Sequence, residues 1–306
     1  MARNLRTAFG LTLRTGARRR VLLALILLSP TPLLQRAGAV DPGEPPGQQT
    51  SHEASTSDKA RREAAAAIPL AKIDAAHRQA VREVVQAPSV FRRLPTNVID
   101  CRPELFTYFA QNPDVLVSIW RTMGLSRVEL TRTGERTFDL SDGAGTKVKL
   151  TIVEQSCDGS AQNRIVMYAQ GGYEGKPFPR PITAQCVLLL RSGSVVETNG
   201  RQYVAARLDS FVKLDRPTTE IMAKAASPFV GKTSDRNFAD TLAFIANFSY
   251  TAENRPEAIA KLSDRLQQVD APRRAELTTI ASRCAEANDE WRVSRAEGPV
   301  VKVSAQ

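Results

Sequence analysis

Apolar and polar residues alternate along most of the stretch from Leu125 to Leu214. This period of two is typical of half-buried β-strands. Breaks that contain glycine separate the runs, and Asn199-Gly200 is the strongest hairpin signal among them. Strands this closely spaced leave no room for crossover helices, so the pattern predicts an antiparallel meander of about six strands. A further strand is predicted over residues 91–99, where Pro95 restricts it to an edge or a bulge.

Helical periodicity precedes the meander. One helix is predicted over residues 74–85, and two short helices are predicted to open at Pro103 and Pro113, because proline is well tolerated in the first turn. Gly124 is expected to cap the second of them at its C-terminus.

Helical periodicity also follows the meander. A short helix is predicted over residues 218–226, and a longer one is predicted to start at Ser234 or Asp235 as its N-cap. The apolar residues of the longer helix form a single stripe: Phe238, Leu242, Ile245 and Phe248. Two more amphipathic helices are predicted over residues 256–269 and 272–288. The predicted fold class is therefore α+β, an antiparallel sheet of about six to seven strands wrapped around a long C-terminal helix, with extra helices at the C-terminus.

The first 39 residues predict an export signal. They contain seven arginines, no Asp or Glu, and the apolar run VLLALILL at residues 21–28. That run is too short to span a bilayer, which needs about 20 residues. The segment ends in Ala37-Gly38-Ala39, a pattern that signal peptidase accepts. Residues 1–39 are interpreted as a cleaved signal peptide of a periplasmic or secreted protein. The alternative is an uncleaved N-terminal segment that anchors the protein to the membrane.

Removing this signal changes the charge. The chain carries a net charge of +10, and residues 1–39 contribute seven of these positive charges, which leaves +3 for the mature protein. No basic stripe with interleaved aromatic residues remains in it. Since nucleic-acid binding needs such a surface, the sequence argues against a nucleic-acid partner.

Composition divides the rest of the mature chain. Residues 40–66, rich in Pro, Gly, Ser and Gln in their first part, are predicted to be a disordered linker because they bury too little apolar surface. The subsequent divisions are a leading helix over 67–90, the α+β domain over 91–250, a helical extension over 251–290 and a tail over 291–306.

The mature chain has four cysteines, and export to an oxidising compartment would allow up to two disulfides among them: Cys101, Cys157, Cys186 and Cys284. Three pairings exist, and the spacings do not choose between them. For Cys186, on the apolar face of a predicted strand, a buried thiol is the alternative. No C-x-x-C occurs and no histidine lies near these cysteines, so no metal site is predicted.

The glycine-rich stretch AQGGYEGKPFPRP at residues 169–181 invites comparison with a phosphate-binding loop. Such a loop needs G-x-x-x-x-G-K-[ST] between a strand and a helix. Here three residues separate Gly171 from Gly175, Pro177 follows Lys176, and the next segment is strand-like. The stretch is therefore interpreted as a hairpin loop, and no cofactor is predicted.

Catalytic residue types are scarce. The chain has two histidines, His52 in the linker and His77 in the leading helix, so the predicted sheet lacks the commonest general base. Glu154 is the candidate carboxylate, because it continues the inward alternation of Leu150 and Ile152. The alternative for Glu154 is a strand end that reaches solvent. Arg207 and Asp209 are expected to form a solvated pair. No catalytic residue is assigned.

The order of elements, a strand, two short helices, an antiparallel run and a long helix, resembles the helix-grip superfamily of START and polyketide-cyclase-like domains (SRPBCC) over roughly residues 91–250. The segments Cys101-Arg102-Pro103-Glu104 and Asp142-Gly143-Ala144-Gly145 also look like those of exported bacterial proteins. In the superfamily the sheet wraps around the helix, and many members enclose an apolar ligand cavity.

This resemblance implies a noncatalytic binding protein for a lipid or another apolar small molecule, held between the sheet and the helix. The ligand-binding candidates are Leu130, Phe138, Leu150, Met167, Leu188, Ala206 and Glu154. Two alternatives stay open: an envelope-associated structural or interaction domain whose trailing helices bind a protein partner, and a polyketide-cyclase-like enzyme.

Overall fold

The computed structural model describes residues 53–157, 162–175, 180–215, 218, 221–222 and 228–296. The export signal, the first part of the linker and most of the helix predicted over residues 218–226 lie outside the described residues, as do residues 176–179 of the glycine-rich loop.

The described helices and strands have the following bounds. The helices are α1 Asp58–Ala66, α2 Ala75–Gln86, α3 Pro103–Gln111, α4 Pro113–Thr122, α5 Pro228–Asn254, α6 Pro256–Ser263 and α7 Ala271–Ala296. The strands are β1 Val90–Arg93, β2 Asn97–Asp100, β3 Glu129–Arg132, β4 Thr137–Ser141, β5 Thr146–Ser156, β6 Gln162–Tyr173, β7 Ile182–Val196 and β8 Gln202–Leu214. Across the described ranges, no helix is both long enough and apolar enough to cross a membrane.

The strands form an eight-stranded antiparallel sheet in the order β1-β8-β7-β6-β5-β4-β3, and β2 also pairs with β8. The predicted α+β class and antiparallel meander are therefore confirmed. The strand predicted over residues 91–99 is divided at Pro95 into β1 and β2, which both pair with β8. Proline has no N–H to donate to a sheet ladder, so the single predicted strand is interrupted there.

The inner face of the sheet packs against α3, α4 and α5 through the main hydrophobic core. The predicted apolar stripe of α5, from Phe238 to Phe248, is buried there. The rings of Phe109 and Phe248 meet edge to face, with centroids 5.1 Å apart. Full burial of an aromatic side chain contributes about 1.5–3 kcal/mol, so this contact helps to fix α5 against α3.

The outer face of the sheet is covered by α1 and α2. Ala64 of α1 and Val81 of α2 are fully buried in a second hydrophobic cluster, which includes Val187, Leu189 and Phe211 from the sheet. The sheet is thus sandwiched between helices, and the helices on its outer face come from the segment before β1.

Helix α1 corrects the prediction that the linker is disordered as far as residue 66. Ser57 caps the helix, because its Oγ accepts a hydrogen bond from the backbone N–H of Ala60 at 3.2 Å. Ala60 and Ala64 then face the sheet and are buried. The prediction used the average composition of residues 40–66, in which the proline- and glycine-rich first part outweighs the alanine-rich helix.

Other helix boundaries also differ from the predictions, and the helix predicted over residues 256–269 ends at Ser263. Helix α5 starts at Pro228 rather than at Ser234 or Asp235. Ser234 lies inside the helix and donates to the carbonyl of Val230 at 3.1 Å, while Asp235 binds Arg92 of β1. Helix α7 continues to Ala296, so residues 291–296 are helical and do not belong to a tail.

Candidate functional site

The predicted apolar ligand residues lie in the inner-face core. Five of them are at most 7% exposed: Leu130, Phe138, Leu150, Leu188 and Ala206. Met167 is half-buried and packs against the same core. This is the burial expected of ordinary core residues. An apolar ligand between the sheet and α5 therefore stays a prediction.

Glu154 lies elsewhere. The pairing of β5 with β6 shifts register between Ile152 and Glu154, and this bulge places Glu154 opposite Val166. Val166 belongs to the outer-face cluster, so Glu154 has left the inner face on which Leu150 lies. Glu154 is only 5% exposed and accepts hydrogen bonds from Arg164, Nη2 to Oε1 at 2.8 Å and Nε to Oε2 at 3.0 Å. Both interpretations of Glu154, inward-facing or solvent-reaching, were wrong.

No disulfide joins the four cysteines, all of which are described by the structure, so none of the bridges that the sequence would allow is formed. Cys157 follows the end of β5, where Ser156 aligns with Arg164, whereas Cys186 aligns with Ala169. Five residues along a strand span roughly 16 Å, far beyond the ~7 Å limit between the Cα atoms of a disulfide.

Three of these thiols are buried. Burial raises the pKa of Cys186 and of Cys284 to about 12, and it also raises the pKa of Cys101. Because the thiolate is the reactive form, burial and a raised pKa both disfavour reaction of these three cysteines, which pack as core residues.

A polar cleft of about 270 Å³ opens where α5, α7 and the β7–β8 hairpin meet. We call it the α5–α7 cleft. Its lining combines three aromatic rings, three guanidinium groups, three amides and two carboxylates. The residues are Asp100, Asn199, Arg201, Tyr203, Tyr250, Glu253, Asn254, Asn288, Trp291, Arg292 and Arg295.

The floor of the cleft is a set of ion pairs around Glu253, whose side chain is 2% exposed. Arg102 donates to its Oε1 at 2.9 Å, and Arg201 donates to its Oε2 at 2.8 Å. Arg201 also donates to Asp100 at 2.9 Å. Burial of a charge is tolerated when it is paired and hydrogen-bonded, so these groups fix the floor.

Trp291 forms one wall. Its indole Nε1 donates to the carbonyl of Asn199 at 2.9 Å, which joins α7 to the tip of the β7–β8 hairpin. The guanidinium carbons of Arg201 and Arg295 each lie 5.3 Å from its ring centroid, within the range of a cation–π contact. The ring is therefore held in place from the protein side.

The charged groups at the rim of the cleft are less fully paired than those of the floor. Arg292 donates to the Asn254 amide oxygen at 2.7 Å, and Arg295 contacts the Trp291 ring. Across the described ranges neither guanidinium pairs with a carboxylate. Tyr250 is 65% exposed beside them. The rim thus presents two positive charges and a flat aromatic surface to solvent.

The sequence prediction missed this site. It assigned Trp291, Arg292 and Arg295 to a tail and noted the Asn199-Gly200 turn only as a hairpin signal. The tryptophan and arginines at the end of an amphipathic helix were the signal available, but their partners lie about forty to ninety residues earlier.

No protein-family model matches the chain. No curated protein is similar to it at a significant level. Among solved structures, a hypothetical protein of Helicobacter pylori shares 9% sequence identity, with a TM-score of 0.36; the alignment covers 51% of this chain and 86% of that protein. A conserved protein from Geobacillus kaustophilus shares 11% identity, with a TM-score of 0.32, and the alignment covers 50% of this chain and 91% of that one. Similarities at this level define neither a family nor a function.

Proposed function

We propose that this is an exported, noncatalytic binding protein, and that its α5–α7 cleft takes a small ligand with a flat ring and an anionic group. The observation that supports this proposal most is the contrast between floor and rim. The floor charges at Glu253 and Arg201 are paired with one another. The rim arginines, Arg292 and Arg295, have no carboxylate partner among the described residues and lie beside the exposed ring of Tyr250.

The ligand chemistry follows from these groups. Guanidinium groups bind carboxylate and phosphate oxygens with paired N–H donors, so an anionic group fits at Arg292 and Arg295. A flat ring fits over Tyr250, because stacking of a ligand ring on an exposed aromatic side chain stabilises the complex. A volume of about 270 Å³ lies just below the usual range for ligand pockets, which favours a ligand with a single ring.

A binding role is better supported than catalysis at this cleft. Its two carboxylates, Asp100 and Glu253, both accept hydrogen bonds from Arg201, and Glu253 also accepts from Arg102. A general base needs an oxygen free to take a proton from the substrate. These oxygens are engaged in holding the floor.

Membership of the helix-grip superfamily is part of this proposal. The strand, the two helices α3 and α4, the antiparallel run and the long helix α5 on the inner face support it. An apolar ligand held between sheet and α5 is the second candidate, which the small inner-face residues Ala184 and Ala206 favour.

Titration calorimetry tests the cleft with three probes: phenyl phosphate, which has a ring and an anion, inorganic phosphate and phenol. The proposal predicts that phenyl phosphate binds most tightly. The double variant Arg292→Gln/Arg295→Gln is expected to weaken this binding at least about tenfold, since each charged hydrogen bond contributes about 1.5–3 kcal/mol.

Arg283→Gln is the matched control, because Arg283 is an exposed arginine of α7 that pairs with Glu104 outside the cleft. Equal affinity of the double variant and the control for phenyl phosphate would contradict the proposal. An apolar mass carried by the purified protein in native mass spectrometry, with no phenyl phosphate binding, would instead favour the ligand between sheet and helix.

A further inference from the structure

Three arginines form a row across the sheet. Arg164 of β6 lies directly opposite Arg191 of β7, and Arg191 lies directly opposite Arg207 of β8. Directly opposed residues of antiparallel strands share a face, with Cβ atoms about 4.5–5.5 Å apart. Like charges in such positions are destabilising. We call this set the arginine row.

The row lies on the outer face, beside α1. Val166 lies two residues from Arg164, and Leu189 lies two residues from Arg191; both belong to the outer-face cluster. Side chains two residues apart in a strand share a face, so the arginines lie on the outer face as well. Arg93 of β1, which aligns with Asp209, donates to the carbonyl of Ala60 in α1 at 3.0 Å. The three side chains of the row are 27–31% exposed, so solvent reaches them.

Asp209 is the central counter-charge, and it is fully buried. Arg93 donates to its Oδ1 at 2.6 Å and Arg191 donates to its Oδ2 at 3.1 Å. The sequence predicted a solvated pair of Arg207 and Asp209. That prediction was wrong, because Asp209 is fully buried and accepts hydrogen bonds from Arg93 of β1 and Arg191 of β7.

Arg207 is the incompletely satisfied member of the row. Its Nε lies 3.8 Å from Asp209 Oδ2, too far for a hydrogen bond, and this atom is buried without a hydrogen-bond partner. The Nε of Arg191 is likewise buried without a partner. Both statements hold within the part of the chain that the structure describes. Each of these two adjacent guanidinium groups therefore has an Nε–H donor for which no described residue provides an acceptor.

The local charge balance is also positive. Four arginines, Arg93, Arg164, Arg191 and Arg207, face three carboxylates, which are Glu63, Glu154 and Asp209. Burial, and after it the charge of Arg191, lowers the pKa of Arg207. Binding of an anion next to the Arg207 guanidinium group would therefore be energetically favourable.

We propose that Arg191 and Arg207 form a binding site for a phosphate or sulfate group, with Asp209 as the residue that positions Arg191. A tetrahedral oxyanion offers several acceptors, enough for donors from two adjacent guanidinium groups. The group belongs either to a free small molecule or to an anionic lipid headgroup. No residue of this site lines the α5–α7 cleft, so substitutions at one site test it without changing the other.

The test compares phosphate and sulfate with chloride at equal ionic strength, using the mature chain. Calorimetry is expected to show phosphate binding to the native chain and at least about tenfold weaker binding to Arg207→Gln. In chloride alone, Arg207→Gln is expected to unfold at the same temperature as the native chain or higher, because the substitution removes a like charge beside Arg191.

Arg136→Gln is the matched control, since Arg136 is a half-exposed arginine outside the row. It should keep native phosphate affinity and show only the general stabilisation by kosmotropic anions. The double variant Arg292→Gln/Arg295→Gln should also keep phosphate binding at the row, which separates this site from the cleft.

Sedimentation with vesicles identifies the source of the anionic group. Binding to vesicles of phosphatidylcholine with phosphatidylglycerol, but not to phosphatidylcholine alone, and its loss in Arg207→Gln, would indicate a lipid headgroup. Free phosphate binding without vesicle binding would indicate a soluble ligand. The proposal is overturned if neither phosphate, sulfate nor anionic vesicles bind, if Arg207→Gln binds them equally, or if it unfolds at a clearly lower temperature in chloride.

Discussion

The indole of Trp291 donates a hydrogen bond to the backbone carbonyl of Asn199, and this contact joins residues 92 positions apart. It places the last turns of α7 beside the β7–β8 hairpin and so creates a wall of the α5–α7 cleft. The C-terminal helix is thus part of a candidate binding surface and does more than cover the core.

Trp291→Phe tests this contact, because phenylalanine keeps an aromatic ring and removes the N–H donor. The free energy of unfolding is expected to fall by about 0.5–1.5 kcal/mol, the usual net contribution of one hydrogen bond. Amide exchange in the hairpin around Asn199 should become faster. Val293→Ala, at an exposed position of the same helix, should change neither quantity, and equal effects of both variants would contradict the account.

Asp114 is predicted to be a principal electrostatic link between α4, β3 and α7. Its side chain is 4% exposed and accepts hydrogen bonds from Arg132, at 2.8 Å, and from Arg273. Asp114→Asn should lower the free energy of unfolding by about 3–5 kcal/mol, because Arg132 loses the buried carboxylate that it binds and Arg273 keeps only the exposed carboxylate of Asp270. Urea unfolding measures this loss.

Asp270→Asn provides the control for that experiment. Asp270 also pairs with Arg273, but its side chain is 54% exposed and the pair is local. Exposed pairs contribute about 0–1 kcal/mol, so this variant should be nearly neutral. Comparable losses of unfolding free energy in the two variants would contradict the prediction that the buried ion pair of Asp114 contributes more than the exposed one of Asp270.

The buried cysteines predict an alkaline loss of stability. Burial raises the pKa of Cys186 and Cys284 to about 12, above the value of about 8.5 in an unfolded chain. The folded state then binds more protons than the unfolded state at high pH, so stability is full below about pH 8.5 and falls as the pH rises towards 12. Urea unfolding across this interval measures the slope.

Cys186→Ala should flatten that slope, while the same substitution at half-buried Cys157 should leave more of it in place. At neutral pH, a thiol reagent should label Cys157 first and the three buried cysteines only on unfolding. Rapid native labelling of Cys186 would contradict the packing of β7.

Gly145 is predicted to be less replaceable than Gly143 in the β4–β5 turn. Both have positive φ, at 118° and 66°, but a Cβ on Gly145 would lie 2.1 Å from the Glu174 carbonyl oxygen, whereas one on Gly143 meets open space. Gly143→Ala should cost about 1–2 kcal/mol and Gly145→Ala about 3 kcal/mol or more. Urea unfolding of the two variants compares them directly, and equal losses would rule out the close approach.

Much of the fold could be predicted because local patterns specify it. The alternation from Leu125 to Leu214 gave the meander, and the stripe from Phe238 to Phe248 gave the helix on its inner face. Gly124, with φ at 70°, ends α4 as a left-handed cap, as its position after the apolar run indicated.

The sites could not be predicted in the same way. A single bulge between Ile152 and Glu154 moves Glu154 to the opposite face of the sheet. A prediction from strict alternation cannot locate such an inserted residue. The alternation in β8 placed Arg207 and Asp209 together, but it could not show that β1 and β7 bring Arg93 and Arg191 beside them. These pairings depend on strand register across long sequence separations.

The most direct test of the central proposal uses the chain's two tryptophans, Trp291 in the cleft and Trp120 in the inner-face core. Their indole N–H resonances can be assigned in an NMR spectrum with Trp291→Phe and then followed while phenyl phosphate is added. The account predicts that the Trp291 resonance shifts and saturates while the Trp120 resonance stays in place. A response at Trp120 alone, or at neither residue, would contradict a ligand site in the α5–α7 cleft.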